Sequence, residues 1–273
     1  MIPDFNSQVP PQADAIQEWL SRLRAQQGLA KAQETLVHLT RKFPDHTGLQ
    51  ALRDWHDPVW WKPIEFGAIR MERRGPEHFE FLWSLVLQKD FAHQLKHLPP
   101  GLTPRDLMLV LSNESMAIIP ESRSITWVIF KGDLPIGISM FVNINFKNRT
   151  AEQIMGIMPG YDTSFLVADA YFSSLLFAYN CLGLNKVQGL IYDSNESAAT
   201  LQQRFGFQRE GRWRQAVWNE ELQRYQDLIQ ISLLHEEFAV NRFIQRYIGR
   251  EERSAFLMCR HEWPRSTGDR SRE

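Results

Sequence analysis

The stretch Ile191 to Gly211, IYDSNESAATLQQRFGFQREG, constrains the fold most, because it joins a strand end, a helix start, a short helix and a helix stop with almost no loop between them. The run Val187 to Tyr192 is β-branched and aromatic and stops at Asp193, Ser194 and Asn195. Asn195 is the expected N-cap, since its short side chain can accept a bond from an orphan N–H of the first turn. Residues 196–204 then read as helix. Gly206, between Phe205 and Phe207, supplies the left-handed residue common just past a helix end. A strand delivered straight into a free helix start is a good place to hold something polar.

Composition sets the outer limits. Of 273 residues, 43% are hydrophobic and 23% charged, which is ordinary for a globular chain with a real core, as one large domain or a medium domain with an appendage. A formal net charge of −1 gives no electrostatic reason to expect a nucleic-acid partner. Cys181 and Cys259 are too few for a disulfide framework or a Cys-rich zinc site, and Cys181, in an apolar helical run, reads as a buried thiol. The start MIPDFNSQVPPQ has no basic region and no apolar core of a secretory signal, and no run reaches about 18 uninterrupted apolar residues. The expectation is a cytoplasmic protein with no membrane partner.

Two amphipathic helices open the chain. Ile16, Trp19, Leu20 and Leu23 share one face, as do Ala32, Leu36, Leu39 and Phe43, with Gly28 between and Pro44 after. This hairpin is similar to a single tetratricopeptide-like unit without a second copy, so it reads as a cap or a surface for a protein partner. WHDPVWWKP (55–63) is too aromatic for a free linker and is expected to pack the hairpin onto the domain C-terminal to it. From Ile64 the pattern runs strand (64–74), one or two helices (77–98), and a helix capped by Thr103 with Pro104 at its first position. A hairpin of strands about KGDLP, a strand at 152–158 and a long apolar helix at 164–184 come next. After strand 187–192 and the short helix, strands at about 212–219 and 224–233 and one terminal helix at 235–249 complete the order. RSTGDRSRE reads as a frayed tail.

Over roughly residues 64–240 the chain resembles the GNAT superfamily of N-acetyltransferases. The residues carrying the resemblance are LGLNKVQGLIYDSNESAATLQQRFGFQREG (182–211) and YQDLIQISLLHEEF (225–238). They are most similar to the ribosomal-protein and amino-sugar branch, with its Leu-Gly-Leu, strand, Asn-x-Ser or Asn-x-x-Ser, helix, Gly-Phe and Glu-Gly. The resemblance implies an α+β fold, a mixed and mostly antiparallel sheet flanked by helices, after an N-terminal helical hairpin. It divides the chain into a hairpin at 1–57, an acyltransferase domain at 58–240, and a C-terminal helix with a flexible tail at 241–273.

The same resemblance implies acetyl-CoA as cosubstrate, with its pantetheine arm between strands 152–159 and 187–192 and its pyrophosphate at the helix start after the turn. The cofactor-binding residues on that mapping are Ile157, Met158, Thr163, Ser164, Phe165, Asn195 and Ser197. The family's turn of Arg or Gln, two residues, Gly, one residue, and Gly or Ala is replaced here by GYDTSFLVA. Gly160, Thr163 and Phe165 hold its key positions, so the turn is degenerate. The family's frequent Tyr, four residues before Gly-Phe, is Gln202.

Acetyl transfer to an amine needs a base, and holding a lysine-like amine neutral at pH 7 costs about 4–5 kcal/mol. Glu152 is the candidate base, at the start of the strand before the turn; an edge-strand solubilising charge explains it equally well. Strand N–H groups around Ile157 are candidates to polarise the carbonyl. Asn143, Asn145 and Asp227 are candidate substrate contacts, with surface polarity and a bond inside the sheet as the alternatives. His93 and His97 have metal-capable spacing but no third ligand, and HEEF at 235 lacks a second His, so no metal is expected. The expected activity is acetyl transfer to a primary amine of a small metabolite, an amino sugar or a protein N-terminus. The alternative is a non-catalytic or differently acylating relative acting as a protein-interaction module.

Overall fold

The computed structural model describes residues 13–27, 29–49, 52, 63–88, 101–115, 122–219 and 222–248. The start of the chain, the aromatic run at 55–62, His93 and His97, Cys259 and the tail 265–273 lie outside the described residues.

Helices α1 (Ala13–Gln27) and α2 (Leu29–Lys42) bury Ile16, Leu20, Leu36 and Leu39 against each other, with Leu49 and Leu52, in a cluster of their own. The remaining elements build one eight-stranded sheet in the order β1-β2-β3-β4-β5-β6-β8-β7. Its strands are β1 (Ile64–Phe66), β2 (Ile69–Arg73), β3 (Ile125–Lys131), β4 (Leu134–Asn145), β5 (Thr150–Ile157), β6 (Lys186–Tyr192), β7 (Gln208–Asn219) and β8 (Arg224–Leu234). All neighbours are antiparallel except β5 and β6.

Alternation along the strands gives the sheet two apolar faces. One face, with Trp127, Phe141, Val187 and Leu233, packs against α5 (Ser164–Leu176), α6 (Glu196–Phe205), α7 (His235–Val240) and α8 (Arg242–Ile248). The other, with Val128, Phe130 and Ile138, packs against α3 (Phe79–Leu87) and α4 (Pro104–Ser115) through Leu82, Leu85, Leu107 and Leu111. Thr103 caps α4 as its sequence demands: its hydroxyl accepts from the Asp106 N–H, and Asp106 accepts a bond from the Thr103 N–H in return.

Helix α5 is pinned at three points. Asp169 accepts a bond from the Ala68 N–H of the β1–β2 turn, and Ser174 meets Ser139 of β4 at 2.7 Å. At its end the chain widens into a π turn over Phe177–Cys181, where Leu182 N–H reaches back to Phe177 O and Tyr179 donates to Leu233 O of β8.

Three local expectations change. The run 64–74 is two strands rather than one. Gly67 turns the chain at φ +56, where a Cβ would meet the Asp169 carboxylate, so the turn both reverses the strand and seats α5. The long helix expected at 164–184 leaves α-helical geometry at the π turn. The single helix expected at 235–249 is α7 and α8, because Asn241 leaves the helix and its side-chain oxygen caps the Phe243 and Ile244 N–H groups instead. Ile244 is fully buried in the main cluster, so α8 is part of the domain's core.

Candidate active site

Strand β6 is paired differently on its two sides. Against β8 it runs in register from Lys186↔Leu234 to Tyr192↔Leu228. Against β5 the parallel pairing covers only Thr150↔Lys186 to Glu152↔Gln188 and then stops, although both strands continue. A V-shaped gap opens between β5 and β6.

The backbone of β5 determines what faces that gap. Met158 N–H donates to Ile136 O, and Gly156 O lies against Gly137 of β4, so even-numbered positions turn their peptide groups to β4. By alternation the N–H and C=O groups of Met155 and Ile157 face the gap. Because β5 and β6 are parallel, their C-terminal ends lie on the same edge of the sheet, and each leads into a helix N-terminus.

After β5 the chain turns through Pro159 to Thr163. Gly160 has φ +90 and open space where a Cβ would be, and its N–H donates to Asp162 Oδ1 at 3.2 Å. Thr163 is the N-cap of α5, with no side-chain capping bond; Ser164 opens the helix, and Phe165 stands 73% exposed. After β6, Asn195 Oδ1 accepts from the Ala198 N–H at 3.0 Å, Ser197 lies exposed in the first turn, and Gly206 ends α6 at φ +92. Ile157, Met158, Thr163, Ser164 and Phe165 thus lie at and just after the C-terminal end of β5, and Asn195 and Ser197 just after that of β6.

Glu152 lies at the closed end, where β5 and β6 last pair. Its side chain is 7% exposed and, with Ile154 and Met158, belongs to the face covered by α3 and α4. The two-against-one bulge at Asn143 and Ile144, with Asn143 at φ +54, brings Asn143 Nδ2 to 3.4 Å from Glu152 Oε2. This bulge breaks the alternation expected of Asn143 and Asn145. Asn145 instead accepts the Asn148 N–H in the turn to β5.

Asp227 lies away from the gap on β8. Arg212 Nε and the Gln215 N–H occupy its two oxygens at 2.5 and 2.7 Å, and Arg212 also reaches Asp193. The Gln215 and Arg212 bonds hold the Asp227 carboxyl below the ordinary range. Glu210 of the Glu-Gly pair is likewise held down, by Lys186 at 2.7 Å and by the Ser232 hydroxyl, which locks β6, β7 and β8 together.

Behind the gap, Gln202 of α6 donates to the Tyr171 hydroxyl of α5 at 3.4 Å, and burial pushes the Tyr171 phenol up. The pairing of Gln202 with Tyr171 across two helices had no signal in the sequence, since the two are thirty-one positions apart. Among the described residues no group of three or more His, Cys, Asp or Glu could hold a metal, and no helix is long and apolar enough to cross a membrane.

No family model matches the chain. Over 104 residues it is 28% identical to the uncharacterized N-acetyltransferase YoaA of Bacillus subtilis (strain 168), a match that covers 37% of this chain. The chain spans 59% of that relative's length. Among solved structures it is similar to the spermidine N-acetyltransferase of Vibrio cholerae in complex with CoA and spermine, with 18% identity and a TM-score of 0.56 over 63% of this chain and 98% of that one. A structure described as a probable acetyltransferase matches with 20% identity and a TM-score of 0.56 over 64% and 98%. The mixed, mostly antiparallel sheet flanked by helices is thus the fold of these N-acetyltransferase structures.

Proposed function

We propose that the chain is an acetyl-CoA-dependent N-acetyltransferase acting on a primary amine of a small metabolite, an amino sugar or a protein N-terminus. The observation that carries this reading is the parallel β5–β6 pair that opens after Glu152, with a helix N-terminus at the end of each strand. The CoA and spermine bound by the Vibrio cholerae enzyme of the same fold support both the cosubstrate and an amine acceptor. Asn195, Gly206, Phe207, Glu210 and Gly211 support the ribosomal-protein and amino-sugar branch, with a degenerate pyrophosphate turn.

The residues at the gap fit the coenzyme. The gap-facing peptide groups of Met155 and Ile157 suit an arm of alternating amides, as an added strand would. The first turn of α5, uncapped by Thr163, and the open surroundings of Gly160 suit phosphate oxygens. When bound, acetyl-CoA supplies an activated thioester.

Glu152, through water, takes the proton of the acceptor amine as the N–C bond forms, and Asn143 orients its carboxylate. A gap-facing N–H of β5 donates to the carbonyl oxygen as charge develops there. Gln202 has no acidic proton, so when the C–S bond breaks the departing thiolate is protonated by water.

Asp162 and the exposed Phe165 at the phosphate end favour a second reading, a non-catalytic or differently acylating relative with a protein partner at the α1–α2 hairpin. Calorimetric titration of the full chain with acetyl-CoA, coenzyme A and a longer acyl-CoA separates the two. Micromolar binding of acetyl-CoA, together with acetylation of an amine that Glu152→Gln abolishes, is the expected result. A folded sample giving no heat with any acyl-CoA overturns the enzyme.

A further inference from the structure

Gln153 is the residue of β5 whose side chain the fold leaves unexplained. It comes directly after Glu152, so it stands where β5 parts from β6, but alternation puts it on the opposite face, with Ala151, Met155 and Ile157 against the main cluster beneath α5. It is 6% exposed, and both its amide oxygen and its amide nitrogen are buried without a hydrogen-bond partner among the described residues. Its cross-strand neighbour on β4 is Phe141, which is fully buried and offers no polar atom. Gly189 of β6, facing it, has no side chain: a Cβ there would stand 3.6 Å from the Gln153 carbonyl oxygen.

A buried primary amide with neither atom bonded is costly, and replacing it by an apolar side chain of the same size removes that cost. A second buried amide oxygen, that of Gln202, is also without a partner. It belongs to α6, and the nitrogen of the same amide donates to the Tyr171 hydroxyl of α5. An apolar core has no use for either group. A chain bearing secondary amides does, because each secondary amide offers one donor and one acceptor.

We infer that Gln153 is a positioning residue for the arm of the cosubstrate, exchanging hydrogen bonds with an amide of that arm at the closed end of the β5–β6 gap and so fixing how deep the thioester sits. This rests on the reading of the gap as the acyl-CoA site. Glu152 and Gln153, adjacent on β5 and on opposite faces of the sheet, then divide two tasks, the carboxylate serving the acceptor amine and the amide the cosubstrate.

The test uses the full chain and Gln153→Met, with Gln153→Leu as a second variant should the first fold poorly. Each is measured for thermal midpoint without ligand and for Kd with acetyl-CoA and with adenosine 3′,5′-bisphosphate, which keeps the nucleotide and lacks the amide arm. The expected result is an apo midpoint raised by roughly 2–4 °C. With it go an acetyl-CoA affinity about tenfold weaker and an unchanged affinity for the bisphosphate. Acetyl-CoA affinity retained, whichever way the midpoint moves, or an equal loss for both ligands, overturns the inference while leaving the acyl-CoA site standing. Failure of the unmodified chain to bind acetyl-CoA overturns both.

Discussion

Strand β6 is paired along its whole length on one side and over only three positions on the other. Toward β8 every register position from Lys186 to Tyr192 is filled, and charged pairs tie β7 into the ribbon: Lys186 with Glu210, and Arg212 with Asp227 and Asp193. Toward β5 the same strand leaves its partner after Gln188, and the buried side-chain amide of Gln153 beside that point is unbonded among the described residues. A strand able to pair along its whole length on one side is not what forbids pairing on the other. The same holds of β5, which β4 keeps in regular register from Val142↔Glu152 to Gly137↔Ile157, so the gap is a divergence of two strands that are each fully paired on the other side.

The contrast between the two sides is tested hardest at their two acidic residues. Glu152→Gln should lower kcat for amine acetylation by about 10²–10³-fold with little change in the urea midpoint. Asp227→Asn should do the reverse, lowering the midpoint while kcat stays unchanged, because both Asp227 oxygens serve bonds within the sheet. A rate loss in Asp227→Asn and none in Glu152→Gln would put the chemistry on the wrong side of β6.

A smaller effect is expected on the β4 side of the gap. A Cβ at Gly137 would stand 2.4 Å from Gly156 O and 2.9 Å from Ile157 Cα, so Gly137→Ala should push β5 out of register and cost about 1–3 kcal/mol of stability. Acetyl-CoA affinity should fall with it, since the displaced residues are those that face the opening. Gly211→Ala in the bonded ribbon, where the nearest atom is the Gln230 side chain at 4.0 Å, should leave affinity alone.

Smaller still, Asn195→Ala removes the cap of α6 and should cost about 1 kcal/mol in chemical denaturation.

The smallest effect concerns pH. Glu210 and Asp227 are held below their ordinary range when folded, so the stability they add is complete above the unfolded-state carboxylate range and is lost as pH falls through their folded values. The thermal midpoint should therefore fall between about pH 6 and about pH 3, and less steeply in Glu210→Gln, which has one such group fewer. An unchanged slope in that variant would remove Glu210 from the acid sensitivity.

What the sequence disclosed was local. The Asn195 cap, the Gly206 stop and the Thr103 cap are each decided within a few residues, and all three stand in the structure. The split of 64–74 at Gly67 was hidden because it is fixed by a distant partner, Asp169, whereas the break at Asn241 is local, set by its side-chain oxygen on the Phe243 and Ile244 N–H groups, and one Asn inside an amphipathic run signals it only weakly. The bulge at Asn143 escaped for a related reason: a single positive φ in an alternating strand leaves no trace in the pattern, yet it delivers Asn143 to Glu152. Gln153 was invisible in another way. One polar residue in a strand reads as a solvent-facing position, and only the packing of β5 beneath α5 shows that it is buried.

Use of the opening between β5 and β6 as the acyl-CoA site is tested most directly by amide hydrogen exchange resolved to single residues, with and without saturating acetyl-CoA. Exchange should slow at Met155 and Ile157 and at the first turn of α5, with the β6–β8 amides from Ile229 to Leu233 unchanged. Binding of acetyl-CoA that leaves Met155 and Ile157 exchanging as before, with protection elsewhere, would contradict it.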